Sequence, residues 1–270
     1  MKYKLLALDM DGTTLNSEKK ISPRTAEAIA ELIKKNVAVV VSTGRGVAEL
    51  SDYKNELKSM NYGITISGGL VYDFFKDAAI SVHPLPEKIM MQLIDFGLEE
   101  RAMIHLLTIR DSIMREEDIQ NTADFQMSVY QDMYNRICTR CDDFKEYIRA
   151  HPGEVIKINI YHRSPESRAR NLERLKNFDL TISYAETTAL EASPKGITKA
   201  SGLRELCDFL KIDIAETVVV GDAPNDFEIL QAAGLAVAMG NATDEIKKIC
   251  DVVVSDNDHD GVAEVIEKFF

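Results

Sequence analysis

The sequence predicts an α/β fold: a doubly wound, mostly parallel sheet interrupted by an inserted α+β module. Short apolar runs at both ends of the chain stop abruptly in polar, glycine-containing turns, as buried parallel strands do. Amphipathic helical patterns separate those runs. In the middle, by contrast, Ile156, Ile158 and Ile160 alternate with Lys157, Asn159 and Tyr161, the period of a strand with a single apolar face.

Lys4 to Leu8 reads as the first strand and ends at Asp9. Ser22 followed by Pro23 supplies an N-cap and a first-turn proline, and Ala26, Ile29, Ala30 and Ile33 keep helical spacing as far as Asn36. Val37 to Val41 is a second strand that runs into Ser42, Thr43 and Gly44; Tyr62 to Ile66 is a third, followed by Gly68 and Gly69. Leu70 to Tyr72 and Ala79 to Val82 read as a hairpin. Near the far end, Thr217 to Val220 leads into Gly221 and Asp222, then a helical pattern at Phe227, Leu230 and Ala233. The strands Leu235 to Met239 and Val252 to Val254 follow. Between these halves lie helices at Pro86 to Arg101, Asp142 to Arg149 and Ser164 to Asn177, and strands at Met103 to Ile109, Ser112 to Met114, Ile156 to Tyr161 and Leu180 to Tyr184. Residues 1–82 and 189–270 are therefore expected to form one core, and 83–188 the inserted module, its sheet buried on one side only.

The chain has 270 residues, 45% of them apolar, enough for one large core or two smaller ones. No apolar run approaches the roughly 18 to 20 residues that cross a bilayer, and no export signal is recognisable, so a cytoplasmic location is expected. The formal net charge of −12 disfavours nucleic acid and anionic lipid as partners. It equally opposes a phosphorylated ligand, so any phosphate site must be locally positive. Cys138 and Cys141 have C-x-x-C spacing but no second pair completes a zinc site, and they read as ordinary thiols.

Polar clusters fall at the carboxyl ends of the expected core strands, where open α/β sheets place their ligands. Asp9, Thr43 and Asp222 are thus candidates to converge. Asp9 and Asp11 stand two residues apart where the chain leaves its strand, and Gly12 permits a sharp turn. Two carboxylates so close call for a cation or a shared proton, and either suits nucleophilic or acid/base chemistry.

The chain resembles the haloacid dehalogenase superfamily, and within it the Cof-type phosphatases of class IIB. The D-x-D-G-T motif matches Asp9, Asp11, Gly12 and Thr13; the second-strand Ser/Thr matches Thr43 in Thr43-Gly44-Arg45; the lysine before a helix matches Lys199; and G-D-x-x-N-D matches Gly221, Asp222, Asn225 and Asp226. Ordered in this way along both halves, the motifs imply a Rossmann-like core with an α/β cap that selects substrate. The resemblance further implies that Asp9 attacks phosphorus and becomes an aspartyl-phosphate. Asp11 would protonate the leaving oxygen and then activate water.

The side chains of Asp9 and Asp222 and the backbone carbonyl of Asp11 would hold Mg2+. Thr43, Gly44, Arg45, Lys199 and Asn225 would serve the phosphate or substrate, with Asp226 and Ser67 behind them. The implied partner is a small phosphorylated metabolite, sugar phosphates first, with flavin precursors, nucleotides and pyridoxal phosphate open. Two departures stand out: Ser67-Gly68 where the subfamily has Asn-Gly, and Thr14 where it has an apolar residue. The five histidines show no triad or paired-ligand pattern and read as surface or cap structure, with contact to substrate left open for His83 and His105 in the inserted module. A phosphomutase, or a sensor that binds a phosphometabolite without turnover, are the rival expectations.

Overall fold

The computed structural model describes residues 2–53, 57, 60–184 and 187–270. The apolar run at the start forms β1 (Leu5–Leu8), and every one of its residues is buried. Around it are β2 (Ala38–Ser42), β3 (Tyr62–Thr65), β4 (Leu70–Asp73), β5 (Ala78–Val82), β12 (Thr217–Gly221), β13 (Leu235–Ala238) and β14 (Val252–Val253). They form an eight-stranded sheet of order β14-β13-β12-β1-β2-β3-β4-β5. From β14 to β3 the neighbours pair in parallel, while β4 runs antiparallel to β3. This is the mixed, mostly parallel sheet that the sequence predicts.

The chain divides into two compact units. The first comprises Met1–Gly44, Asp52–Ser81 and Thr198–Phe270; the second Arg45–Ser51 and Val82–Ile197. In the first unit Leu5, Ala7, Val40, Ile64 and Val219 pack beneath Leu203 and Leu206 of the helix Lys199–Leu210. Each fully buried Leu, Ile or Val side chain there contributes about 1.5–3 kcal/mol. The helix Pro23–Lys34 begins as its sequence signals, with the Ser22 hydroxyl accepting from the Thr25 N–H and Pro23 in the first turn.

The second unit is built on a six-stranded sheet. Its strands are β6 (Met103–Thr108), β7 (Ser112–Met114), β8 (Cys138–Arg140), β9 (Val155–Tyr161), β10 (Leu180–Ser183) and β11 (Ala189–Pro194), in the order β10-β11-β9-β6-β7-β8. The unit thus continues past Thr188, because β11 pairs antiparallel with β9. One face carries Ile104, Leu106, Ile158, Ile160 and Leu190 against Leu93 and Ile94 of the helix Glu87–Glu99 and Ile148 of the helix Phe144–Ala150.

The expectation of a sheet buried on one side only is corrected here, since all seven residues of β9 are buried. Met103, Tyr161 and Ala189 on the second face are packed with Ile119, Phe125, Met127 and Tyr134 from the short helices between β7 and β8. The stretch Arg45–Ser51 supplies further cover: a Cβ on Gly46 would lie 3.3 Å from Leu107 Cδ2 and 4.0 Å from Ser112 Oγ. No helix among the described residues is long and apolar enough to cross a membrane.

Candidate active site

β1 is flanked by β2 on one side and β12 on the other, so the strand order reverses between β1 and β12. That switch point opens a crevice at the carboxyl ends of the two strands. Asp9 follows β1 directly and Asp222 follows β12, and the Asp9 N–H donates to the Val220 carbonyl at 3.1 Å. Topology therefore brings together two carboxylates far apart in sequence.

Lys199 opens the helix Lys199–Leu210, whose N-terminus is closed by a capping box between Thr198 and Ser201. With only 2% of its side chain exposed, its Nζ donates to Asp9 Oδ1 at 2.6 Å and to Asp226 Oδ1 at 2.7 Å. The other Asp226 oxygen accepts from the N–H groups of Asp222 and Ala223 at 3.2 and 3.3 Å. Asp226 is thus occupied on both oxygens, and it holds the lysine and the β12 turn together.

Two glycines permit the close approaches. Gly12 has φ +84°, and a Cβ there would lie 2.5 Å from Asp222 Oδ2. Gly68 has φ +93°, and a Cβ there would lie 2.0 Å from the Thr198 carbonyl oxygen, so the turn after β3 rests on the start of the lysine helix. The backbone continues this lattice: Thr43 N–H donates to the Ile64 carbonyl at 2.9 Å, and Ser67 N–H to the Thr43 carbonyl at 3.0 Å. Thr43 and Ser67 are therefore held in adjacent turns of the first unit. Gly44 closes that part of the unit, whereas Arg45 groups with the second unit, its guanidinium 3.8 Å from Met133 Sδ. Asn225 is exposed in the turn Pro224–Asp226.

Several contacts were not assigned from sequence. The Thr13 hydroxyl donates to Asp222 Oδ1 at 2.6 Å, and the Thr14 hydroxyl donates to the Asp9 carbonyl at 2.5 Å. Asn241 Nδ2 donates to the Gly12 carbonyl at 2.8 Å, and Lys19 Nζ meets Asp11 Oδ1 at 2.9 Å. Thr14 carried a signal, as a hydroxyl where the pattern has an apolar side chain; it braces the backbone of Asp9. Lys19 carried none, because pairing across a loop leaves no periodic trace.

Burial pushes the Asp9 carboxyl well above its ordinary range, opposed by Lys199 and assisted by Asp226 and Asp222. Burial likewise raises Asp222 to about 6, with the Thr13 hydrogen bond working against it. For Lys199 burial alone would lower the pKa, but Asp226 and Asp9 outweigh it and hold the ammonium charged. A carboxylate oxygen from each of Asp9, Asp222 and Asp226 lies within 4.8 Å of the others. Such an all-oxygen, anionic donor set fits a hard divalent cation such as Mg2+, which would relieve the crowding of like charges. With Asp226 spent on Lys199 and the backbone, Asp9 and Asp222 are the side chains with capacity for it.

Cys138, buried, and Cys141, half-buried, are free thiols, and burial pushes Cys138 up to about 12.

A family model described as haloacid dehalogenase-like hydrolase matches residues 6–266. The 5-amino-6-(5-phospho-D-ribitylamino)uracil phosphatase YcsE of Bacillus subtilis is 32% identical over 266 residues, covering 97% of this chain and 94% of its own. The structure of a haloacid dehalogenase-like hydrolase from B. subtilis superposes with a TM-score of 0.86 at 26% identity, over 99% of this chain and 100% of that one. The fold is also shared, with a TM-score of 0.82 at 22% identity and 98% of each chain, by the HAD subclass IIB sugar phosphatase BT4131. With its ordered motifs, its switch-point carboxylates and this match along nearly its whole length, the chain belongs to the haloacid dehalogenase-like hydrolases, enzymes whose relatives here are phosphatases.

Proposed function

We propose that this enzyme hydrolyses small hydroxylated phosphate monoesters, sugar phosphates first among them, with magnesium and through a phosphorylated Asp9. The observation that carries the reading is the buried Lys199, bonded at once to Asp9 and Asp226. That contact fixes one Asp9 oxygen and leaves the other to attack phosphorus, while the ammonium offsets the approach of an anion to a carboxylate. In the first step the Asp9–phosphorus bond forms, the ester bond breaks, and Asp11 delivers its proton to the leaving oxygen. In the second, water attacks phosphorus and gives its proton to Asp11. The Asp9–phosphorus bond breaks, releasing inorganic phosphate and restoring both carboxyl groups. Asp9 and Asp222, with the Asp11 backbone carbonyl, would hold magnesium, which would supply charge neutralisation for the phosphoryl oxygens.

Thr43 and Gly44 serve the phosphate, and Ser67 stands behind them. For Arg45 and Asn225 the assignment rests on their motif positions. The 32% identical phosphatase is named for 5-amino-6-(5-phospho-D-ribitylamino)uracil, a phosphorylated ribityl chain on a pyrimidine, which supports that class beside the sugar phosphates as a candidate. A phosphate-release screen over a metabolite panel, with magnesium and with EDTA, tests the reading. Turnover is expected to vanish with EDTA and in Asp9→Asn; turnover that survives the substitution removes Asp9 from its role.

A further inference from the structure

Proton delivery in the reaction above falls to Asp11, which stands on a turn beyond the end of β1 at Leu8 and has a partly exposed side chain. Several rotamers are open to such a carboxylate, and only some of them aim an oxygen at a leaving group. Its orientation has to come from a neighbour. Lys19 Nζ donates to Asp11 Oδ1 at 2.9 Å.

The local backbone does not call for lysine at position 19. Its φ is +60°, in the left-handed region, where glycine or asparagine is the less strained choice. The turn is closed by Asn16 instead: its Oδ1 accepts from the N–H groups of Glu18 and Lys20 at 3.1 and 2.9 Å, and its carbonyl accepts from the Lys19 N–H at 2.9 Å. Stability is no better reason, since an ion pair whose lysine is half exposed contributes little. What lysine brings, and glycine or asparagine would not, is an ammonium against Asp11. The neighbouring Lys20 points to a different partner, meeting Glu18 at 3.0 Å with both side chains largely exposed.

The turn that carries Lys19 is itself fastened to the C-terminal part of the same unit. The Ser17 N–H and hydroxyl donate to Asp258 at 2.8 and 2.6 Å, and Asn257 Nδ2 donates to the Leu15 carbonyl at 2.8 Å. The Asn257 N–H donates to Asn241 Oδ1 at 3.1 Å, and Asn241 Nδ2 holds the Gly12 carbonyl at 2.8 Å. The chain is thus held at Gly12, beside Asp11, and again at Leu15 and Ser17, close to Lys19. Both partners of the ion pair are carried on backbone that is tied to one support.

We infer that Lys19 is a positioning residue for proton transfer: its ammonium holds Asp11 Oδ1, so that Asp11 Oδ2 carries the proton to the leaving oxygen and later takes one from water. The inference rests on the phosphatase reading and adds the group that aims its acid. In the first step Asp9 bonds phosphorus, the ester bond breaks, and the Oδ2 proton goes to the departing oxygen. In the second, water attacks phosphorus, its proton passes to Oδ2, and phosphate leaves Asp9.

A poor leaving group needs that proton, whereas a good one departs without it. The test therefore compares phenyl phosphate with 2,4-dinitrophenyl phosphate, using the full-length enzyme with magnesium, and follows release of the phenol in the first turnover with enzyme in excess. Lys19→Met is expected to slow release from phenyl phosphate about tenfold and from 2,4-dinitrophenyl phosphate no more than about twofold. Lys19→Arg, which keeps a cation, should recover much of that loss, and Lys20→Met should match the wild type with both esters. In an Asp11→Asn background, Lys19→Met should slow phenyl phosphate no further, because the group it aims no longer carries a proton. Equal slowing of both esters, an unchanged rate with phenyl phosphate, or a full additional loss in the Asp11→Asn background overturns the inference and leaves Lys19 as a surface charge. If the wild type releases neither phenol, the phosphatase reading itself fails, and the role of Lys19 falls with it.

Discussion

Lys199 is the residue on which the first unit's site depends most directly. Its removal would leave the Asp9 and Asp226 carboxylates facing each other without the buried ammonium that bonds them both. Lys199→Met is therefore expected to abolish phosphate release by at least ~100-fold. It should also cost about 3 kcal/mol in urea unfolding at neutral pH, the order found when one partner of a buried pair is deleted. Gly12 acts through space alone. Gly12→Ala forces a positive-φ position and sets a methyl 2.5 Å from Asp222 Oδ2, so Asp222 must move. The magnesium concentration for half-maximal activity is expected to rise about tenfold, read by titration of phosphate release.

In the second unit, the unfolded chain takes up the His105 proton near its ordinary 6.5, whereas the folded chain does so only at about 3. Between those values the unfolded state binds more protons, so this residue's contribution is intact above 6.5 and lost as pH falls toward 3. His105→Phe should flatten the decline of the urea midpoint over that range; an unchanged slope would mean the ring is already protonated in the fold.

Two helices of the second unit are fastened at Glu100, just past the end of Glu87–Glu99. It accepts from Arg170 Nε and from the Ser167 hydroxyl, both at 2.8 Å and both on the helix Pro165–Leu175. Arg170 thereby lowers the Glu100 carboxyl to about 2, well under its usual 4.5. The stabilisation is complete above 4.5 and disappears as pH drops toward 2. Because Arg170 is largely exposed, Arg170→Ala should lower the urea midpoint only slightly at pH 7 and hardly at all near pH 2.

At this scale much of the fold was legible. β1, β2 and β12 announced themselves because an apolar run broken by Asp-x-Asp-Gly, Thr-Gly or Gly-Asp has few other ways to fold. The register across three strands was hidden, however, and with it the second face of the inserted sheet. Lys157 and Asn159 read as solvent-facing because period-two alternation reports side-chain chemistry and not burial. What buries them comes from Arg45–Ser51 and from the irregular stretch before β8, neither of which has a periodic pattern. β11 escaped for a related reason: Glu191, Ser193 and Pro194 interrupt its apolar residues. In the site, the motif residues were visible as types at strand ends, while the bonds of Thr13, Thr14 and Asn241 depended on how the turns close.

Across the whole molecule the net charge of −12 works against an anionic substrate. Added potassium chloride screens that field, so kcat/KM for a phosphate ester should rise about two- to threefold between roughly 20 and 200 mM salt at fixed magnesium. A fall over the same range would mean that a local positive potential governs capture.

The stretch Arg45–Ser51 packs with the second unit, yet the chain supplies it separately from Val82–Ile197. Exchange of the second unit among relatives by recombination is therefore not a matter of one cassette. A chimera that receives residues 82–197 alone inherits a sheet whose covering strip was written by a different ancestor, and it should fold poorly beside one that receives 45–51 as well. Two linked segments of the coding sequence must travel together, and family members should be shuffled with both crossovers in place.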